Sequence, residues 1–231
     1  MLYRLFVVLL ALVSFPALAH DLWIEKESGT YTLLQGHRHS AHSGTDLVPY
    51  GATAVKNVTC VDAAGNSKPL AAGKSYPAKF AGDCSMLQVT FSTGYWTKTA
   101  WETKNVPKAG ISGVIKSWYS EESLKYIERW ISSGSAPVSN GLEITPTVNP
   151  LALKAGDKLV VLVTDGGKPV AGVPVAYGGD TRGASGPDGK VAIRLRQGGL
   201  QLIEASQETL LSDGKADTAI RTTSLQFEIA K

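Results

Sequence analysis

Short apolar runs separated by turn-forming residues recur along most of this chain, and this alternation limits the folds open to it. Between residues 52 and 91 the turns are marked by Ala64-Gly65-Asn66, Ala72-Gly73-Lys74 and Ala81-Gly82-Asp83. Glycine and asparagine accept the backbone conformations that tight turns need. Short strands between regularly spaced turns are typical of antiparallel sandwiches. The first half of the chain is therefore predicted to be a β-sandwich.

The same alternation resumes in the second half. Residues 132–141 are small and polar and include Pro137, which is a composition typical of a linker. The apolar runs that follow are Lys158 to Thr164, Val173 to Tyr177, Lys190 to Leu195, Leu200 to Ala205 and Thr222 to Ile229. About seven short strands favour a sandwich of the immunoglobulin or transthyretin type. We expect a mainly β protein with two β-sandwich domains, residues 20–139 and 140–231.

One segment has helical rather than strand periodicity. Ser120 is a good helix N-cap, and Glu121 and Glu122 would occupy the positive first turn. The apolar residues at helical spacing are Leu124, Ile127, Trp130 and Ile131. These features predict one short helix in or just after the first domain, with its apolar face packed on a sheet.

Residues 1–19 have the pattern of a signal peptide. Arg4 provides a short positive region, an apolar run extends from Leu5 to Phe15, and Ala17-Leu18-Ala19 is a small-residue cleavage signal. The run is too short to span a bilayer, so an uncleaved anchor is the weaker alternative. Cleavage after Ala19 would make His20 the first residue of an exported, periplasmic protein.

The charged residues are balanced and scattered. Lys and Arg number 23 and Asp and Glu number 20, which gives a formal charge of +3, and no tract is rich in Lys and Arg. Binding to nucleic acid or to an anionic membrane surface usually needs a concentrated basic patch. Composition gives no sign of either partner. No segment after the signal peptide has the length and apolarity of a membrane helix, so no direct membrane span is expected.

Cys60 and Cys84 are the only cysteines. In an oxidising compartment an even pair is most simply a disulfide, here between two strand-like regions. The alternative is a pair of soft metal ligands, but no His or Met motif flanks either cysteine.

Three of the four histidines, His37, His39 and His42, lie within residues 36–42, and the fourth, His20, directly follows the predicted cleavage site. An N-terminal histidine can chelate a metal through its α-amine and imidazole, because groups with pKa values of about 7.7–8.0 and about 6.5 lose protons readily to a metal. If residues 37–39 are extended, two imidazoles share a face about 6.5–7 Å apart. A turn at Ser43-Gly44 would return His42 toward the same point.

Nitrogen donors suit Ni(II), Co(II), Cu(II) and Zn(II), and the absence of Cys and Met from the segment argues against Cu(I). We therefore expect the four histidines to bind one divalent transition-metal ion. Asp21 and Asp46 could accept hydrogen bonds from imidazole N–H groups in an outer shell. The alternative is an exposed polar loop with solvated carboxylates.

Several short stretches resemble the exported component of nickel and cobalt uptake systems. They are Ala19-His20-Asp21-Leu22-Trp23-Ile24, Gly36-His37-Arg38-His39, Gly167-Lys168-Pro169-Val170-Ala171-Gly172-Val173-Pro174-Val175 and Gly186-Pro187-Asp188-Gly189-Lys190. The resemblance implies a periplasmic β-sandwich protein that binds a divalent transition metal and passes it on, and we take Ni(II) as the first candidate. It supports His20 and His37 best and then His39, whereas His42 depends on the spacing argument alone.

The expected function is therefore metal binding and delivery, to an inner-membrane uptake permease or an outer-membrane receptor, without enzymatic activity. No Ser-His-Asp or Cys-His pairing is arguable, because every histidine is in the cluster. The alternative is a copper-binding histidine brace, used for copper handling or by a copper oxygenase that attacks polysaccharides. The aromatic residues that could serve such an enzyme are Tyr95, Trp96, Trp101, Trp118 and Tyr119.

Overall fold

The computed structural model of the protein describes residues 20–38, 46–73 and 75–231. The predicted signal peptide, His39 and His42 lie outside these residues, as does the side chain of Asp46. Regular structure within them is β-strand apart from three short 3-10 helices, Ala52–Ala54, Ser132–Ser135 and Pro150–Ala152. The prediction of a mainly β protein is confirmed. No helix in this described part of the chain has the length and apolarity needed to cross a membrane.

The strands follow one another closely along the chain. In order they are β1 Asp21–Glu27, β2 Thr30–His37, β3 Asp46–Leu47, β4 Val55–Val61, β5 Ser67–Pro69, β6 Lys79–Ala81, β7 Met86–Thr99, β8 Thr103–Lys104, β9 Val114–Ile127, β10 Glu143–Pro146, β11 Lys158–Asp165, β12 Lys168–Pro169, β13 Pro174–Tyr177, β14 Asp180–Ala184, β15 Lys190–Arg194, β16 Gly199–Leu210 and β17 Thr218–Ile229.

The described strands form three sheets. The central sheet has nine strands, in the order β14-β13-β16-β17-β9-β7-β4-β5, with β8 paired to β7. The N-terminal sheet has the order β1-β2-β3, with β6 paired to β2. The C-terminal sheet has the order β10-β11-β12, with β15 paired to β11.

Both faces of the central sheet are covered. Leu22 and Ile24 of the N-terminal sheet share one apolar core with Leu124 and Leu202 of the central sheet. The C-terminal sheet covers the opposite face, where its Val161 shares a second core with Phe227. A strand covered on both faces buries neighbouring residues rather than alternate ones, and β9 and β17 accordingly bury residues 122–125 and 222–227.

The predicted helix after Ser120 is wrong, because this segment is the middle of strand β9. Ser120 pairs with Gly94 of β7 on one side and with Ile220 of β17 on the other. Leu124 and Ile127 are three residues apart and lie on opposite faces of the strand, in different cores. In a strand buried on both faces, this spacing imitates the periodicity of a helix.

Strand β9 also joins the two halves of the chain. It pairs in parallel with β17, from Trp118 opposite Thr218 to Tyr126 opposite Gln226. The central sheet therefore contains strands from both predicted domains, 20–139 and 140–231. Two separate sandwiches are not confirmed, and the boundary near residue 139 stays a prediction.

The predicted disulfide is present. Cys60 of β4 and Cys84, just before β7, are bonded, with their Cα atoms 5.4 Å apart. Both cysteines are buried in the core beneath the N-terminal sheet. The alternative role as soft metal ligands is therefore not available to them in this oxidised form.

A buried ion pair connects the central sheet to the C-terminal sheet. Lys125 of β9 and Glu143 of β10 are both fully buried, and Nζ lies 2.5 Å from Oε1. The ammonium group also donates to the carbonyl of Ala136 and the hydroxyl of Thr145, each at 3.0 Å. The carboxylate of Glu143 in turn accepts a hydrogen bond from the Val138 N–H. Every charge in this connection is compensated, as burial demands.

We expect Lys125→Met to lower the free energy of unfolding by about 3–5 kcal/mol, because it leaves the Glu143 carboxylate buried without its cation. The double variant Lys125→Met, Glu143→Gln keeps an acceptor for the Val138 N–H and removes both charges, so its loss should be much smaller. Urea unfolding of the two variants measures the difference. Equal losses would show that the uncompensated charge is not the cause.

Candidate metal centre

A tight hairpin brings two of the four histidines together. His20 directly precedes β1 and His37 ends β2, and Asp21 pairs with Gly36 in the antiparallel ladder. The two imidazole rings are therefore cross-strand neighbours, with centroids 4.8 Å apart and planes at 65°. The strands are joined by Ser28 and Gly29, whose positive φ angles of 48° and 79° belong to a two-residue hairpin turn.

The positions of His39 and His42 lie outside the described residues, so the structure brings together only His20 and His37 of the predicted ligands. Within 20–38, 46–73 and 75–231, no three or more His, Cys, Asp or Glu side chains are arranged to hold a metal ion. The two described imidazoles are a partial ligand set.

The histidine pair is oriented toward the central sheet. Leu33 and Gln35 of β2 face that sheet, because Leu33 is in the core and the Gln35 side chain donates to Glu122 of β9 at 3.0 Å. His37 is two residues beyond Gln35, and alternate residues of a strand share a face. His20 stands opposite His37 in the ladder. Both rings are half-buried at the end of the hairpin.

Three carboxyl groups lie beneath and beside the pair. Asp21 is 8% exposed and accepts a hydrogen bond from the backbone N–H of Arg38 at 2.8 Å, which closes the end of the hairpin. Glu204 of β16 is hydrogen-bonded to the Asp21 side chain. Glu122 is 9% exposed, and its Oε2 has no hydrogen-bond partner in the described part of the protein.

Burial keeps two of these carboxyl groups protonated. It raises the pKa of Glu122 to about 8, and the nearby charge of Asp21 contributes in the same direction. Burial also raises the pKa of Glu204 to about 8, reinforced by the charge and hydrogen bond of Asp21. Burial thus favours the protonated form of Glu204, which shares a hydrogen bond with Asp21.

The pKa of His20 is lowered, first by burial and then by the proximity of His37, while Asp21 opposes the change. A neutral imidazole presents a lone pair, which is the form that binds a metal ion. The arrangement thus combines two neighbouring nitrogen donors with an anionic side chain. This combination attracts a cation and suits an ion with a preference for nitrogen.

Glu122, Glu204 and Gln35 were not among the residues predicted from sequence. Glu122 was assigned to the first turn of a helix, where an acidic side chain is ordinary. Glu204 offered a usable signal, because it is a lone carboxyl in the apolar run from Leu200 to Ala205. A charged residue in a strand of this kind is either a partner of another buried group or functional.

A cleft separate from the histidine pair lies along strand β9. Its volume is about 310 Å³, and it lies between β9, β17 and the loop at residues 139–142. Arg221 at its wall is paired with Asp165 at 3.2 Å. Glu122 also lines this cleft, but neither His20 nor His37 does.

A model of a protein family described as a domain of unknown function matches residues 17–209. The chain belongs to this family, DUF4198. The match includes the whole histidine segment and extends from the end of the predicted signal peptide into β16. No curated protein and no solved structure matches the chain. The description of DUF4198 names no metal and no transporter, so the resemblance to nickel and cobalt uptake components stays a prediction.

The raised pKa of Glu122 predicts that the change in unfolding free energy caused by Glu122→Gln depends on pH. The pKa of Glu122 is higher in the folded chain, about 8, than its ordinary value of 4.5. The protonated form is therefore the one that folding favours, and the wild type loses stability as pH rises through this window. The glutamine variant cannot ionise. Its free energy of unfolding relative to the wild type should increase from about pH 5 to about pH 8.

Urea unfolding at three pH values across that window measures this effect. Glu228→Gln is the matched control, because it changes an exposed carboxyl of the neighbouring strand β17. A stability difference for Glu122→Gln that is constant with pH would show that the carboxyl is not buried in its neutral form.

Proposed function

We propose that this protein binds a divalent transition-metal ion, Ni(II) first among the candidates, and delivers it to an uptake transporter in the periplasm. The observation that carries the proposal is the hairpin that holds the imidazoles of His20 and His37 with centroids 4.8 Å apart. Co(II), Cu(II) and Zn(II) are also suited to such nitrogen donors.

The separation of the two rings is compatible with one shared ion. A metal-bound imidazole has its ring centre about 3.2 Å from the ion, since the metal–nitrogen bond is about 2.0–2.1 Å. Two such rings at about 90–110° around an ion are about 4.5–5.2 Å apart. The observed 4.8 Å falls in that interval. Small rotations of the two side chains would then be sufficient for binding.

The other metal-binding groups that we propose are the α-amine of His20 and the imidazoles of His39 and His42. Removal of the signal peptide after Ala19 would give His20 a free α-amine, which forms a chelate with its imidazole. His39 and His42 follow β2 in sequence and would complete the set. Asp21, which holds the hairpin end through the Arg38 N–H, would act from the outer shell by balancing the charge of the ion.

Delivery requires an ion that exchanges between ligands. Half-buried imidazoles at the end of a hairpin can be replaced one at a time by the donors of an inner-membrane permease or an outer-membrane receptor. Protonation of the imidazoles weakens the site as pH falls through their titration range. No enzymatic step is part of this proposal.

A copper-binding function is the alternative, and the same pair of rings favours it. A histidine at the chain start beside a second imidazole is the arrangement of a copper brace, whether for copper handling or for an oxygenase. Peroxide-dependent turnover of a polysaccharide by the Cu(II)-loaded protein, absent with Ni(II), would favour the oxygenase. Metal accumulation in a deletion strain separates copper handling from nickel uptake, because Cu(II) binds nitrogen ligands tightest in vitro whatever the physiological cargo.

The triple variant His37→Ala, His39→Ala, His42→Ala should lose Ni(II) binding by at least about 100-fold, or about 2.7 kcal/mol, because it removes three of the four imidazoles. Isothermal titration calorimetry with Ni(II) at neutral pH measures the affinity. Unchanged affinity in this variant would end the proposal.

The contribution of the α-amine is tested separately. N-terminal sequencing first establishes whether the exported protein begins at His20. One alanine inserted before His20 then moves the amine away while the imidazole is kept, and Ni(II) affinity should fall. Val148→Ser, a change at an exposed side chain of another part of the protein, is the control and should bind as the wild type does.

A further inference from the structure

Four strands of the central sheet extend beyond the two sheets that cover it. They are the longest described strands, β7 and β9 with 14 residues each and β16 and β17 with 12 each. We call the parts at 95–118 and 208–218 the distal end. Neither apolar core contains a residue from these two ranges. The distal end therefore receives little of the apolar burial that stabilises the rest of the sheet.

Exposed apolar side chains concentrate at this end. Eight large hydrophobic residues are exposed in the described part of the protein, and five of them belong to the distal end. They are Trp101, Leu210, Ile115, Ile111 and Val106, with exposures of 92%, 88%, 65%, 37% and 36%. Exposed apolar groups that cluster in this way mark interaction sites more often than chance surface variation.

The register of the strands aligns the ends of β7, β9, β16 and β17 at one edge. Leu210 pairs with Thr218, Thr218 with Trp118 and Trp118 with Trp96, which forms a single row across four strands. The row is about 15 Å long, at about 4.8 Å per strand. Trp101 lies in the turn from β7 to β8, and Ile115 lies at an irregularity in the pairing of β7 with β9.

The loop before β9 is held against the same edge. The Lys108 N–H donates to the carbonyl of Lys215 at 2.8 Å, so residues 105–113 contact the turn between β16 and β17. Ile111 and Val106 belong to this loop. All five exposed apolar residues therefore project from turns, strand ends or the loop at one end of the sheet.

The charges at the distal end leave a basic surplus. It contains five lysines and four acidic residues. Three of the acidic side chains are paired with lysines, namely Glu102 with Lys104, Glu208 with Lys116 and Asp217 with Lys108. The fourth, Asp213, accepts from the Tyr95 hydroxyl at 2.8 Å. Lys98 and Lys215 have no ion pair within the described residues.

We propose that the distal end docks on the surface of a bilayer that contains anionic phospholipids. Tryptophan, isoleucine and leucine on separate turns, with lysines between them, are the side chains that enter the boundary between head groups and acyl chains. Lys98, which has no ion pair in the described part of the protein, and Lys215, whose Nζ lies 5.7 Å from the centre of the Tyr95 ring, are complementary to anionic head groups. These side chains cluster at one end but project from separate turns and strand ends and do not line a groove, which suits insertion among head groups better than the docking of a folded partner. This proposal is independent of metal binding.

Co-sedimentation with vesicles of phosphatidylglycerol and phosphatidylethanolamine tests it. The bound fraction of the wild type should exceed that of Trp101→Ala, Ile115→Ser, Leu210→Ser by at least about tenfold in partition coefficient. Val148→Ser, at an exposed apolar side chain elsewhere, should bind as the wild type does. N-terminal sequencing ensures that every preparation has the same start, because an uncleaved signal peptide would itself bind lipid.

Two further measurements identify the side chains that contact the lipid. Tryptophan emission of the wild type should shift to shorter wavelength with vesicles, and the shift should be much reduced in Trp101→Ala, whose thermal unfolding must match the wild type. Lys98→Gln, Lys215→Gln should reduce binding to anionic vesicles more than binding to phosphatidylcholine vesicles.

Three results would overturn the proposal. The first is no vesicle binding by the wild type, and the second is equal binding by the wild type and the triple variant. The third is self-association of the wild type, lost in the triple variant, without vesicle binding, since a second copy of the chain would then be the occupant.

Discussion

The parallel pairing of β9 with β17 is the contact on which the rest of the structure depends. It joins strands that are about a hundred residues apart and makes one sheet from both halves of the chain. Strand β9 also contributes to the histidine site through Glu122 and to one apolar core through Leu124. Its Lys125 forms the link with the C-terminal sheet, and its Trp118 belongs to the distal end. Without this strand the central sheet would divide into two groups, β14-β13-β16-β17 and β7-β4-β5.

The central sheet buries carboxyl groups in two different ways. Glu143 lies against the ammonium group of Lys125, and backbone N–H groups complete its hydrogen bonds. Glu122 and Glu204 have no cation beside them in the described part of the chain, and burial raises the pKa of each to about 8. The first arrangement fastens two sheets together. The second favours the protonated form of Glu122 and Glu204, the latter hydrogen-bonded to Asp21 next to the histidine pair.

The candidate metal centre and the distal end lie along the same strands. Glu122, beneath the histidine pair, and Trp118, at the distal end, are four residues apart on β9, which corresponds to about 13 Å. Both lie on the same face of that strand, since alternate residues share a face. Docking of the distal end on a membrane would therefore hold the histidines close to the lipid surface, where a permease or receptor would be reached.

The sequence by itself determined the β class and the disulfide between Cys60 and Cys84, because the first depends on local patterns and the second on a choice between very few partners. The sequence pattern failed at β9, since a strand buried on both faces has no alternation to distinguish it from a helix. Only the tertiary structure decided that Glu122 and Glu204 lie beneath the histidines and that scattered apolar and basic residues meet at the distal end. These are contacts between segments far apart in sequence, and no local spacing encodes them.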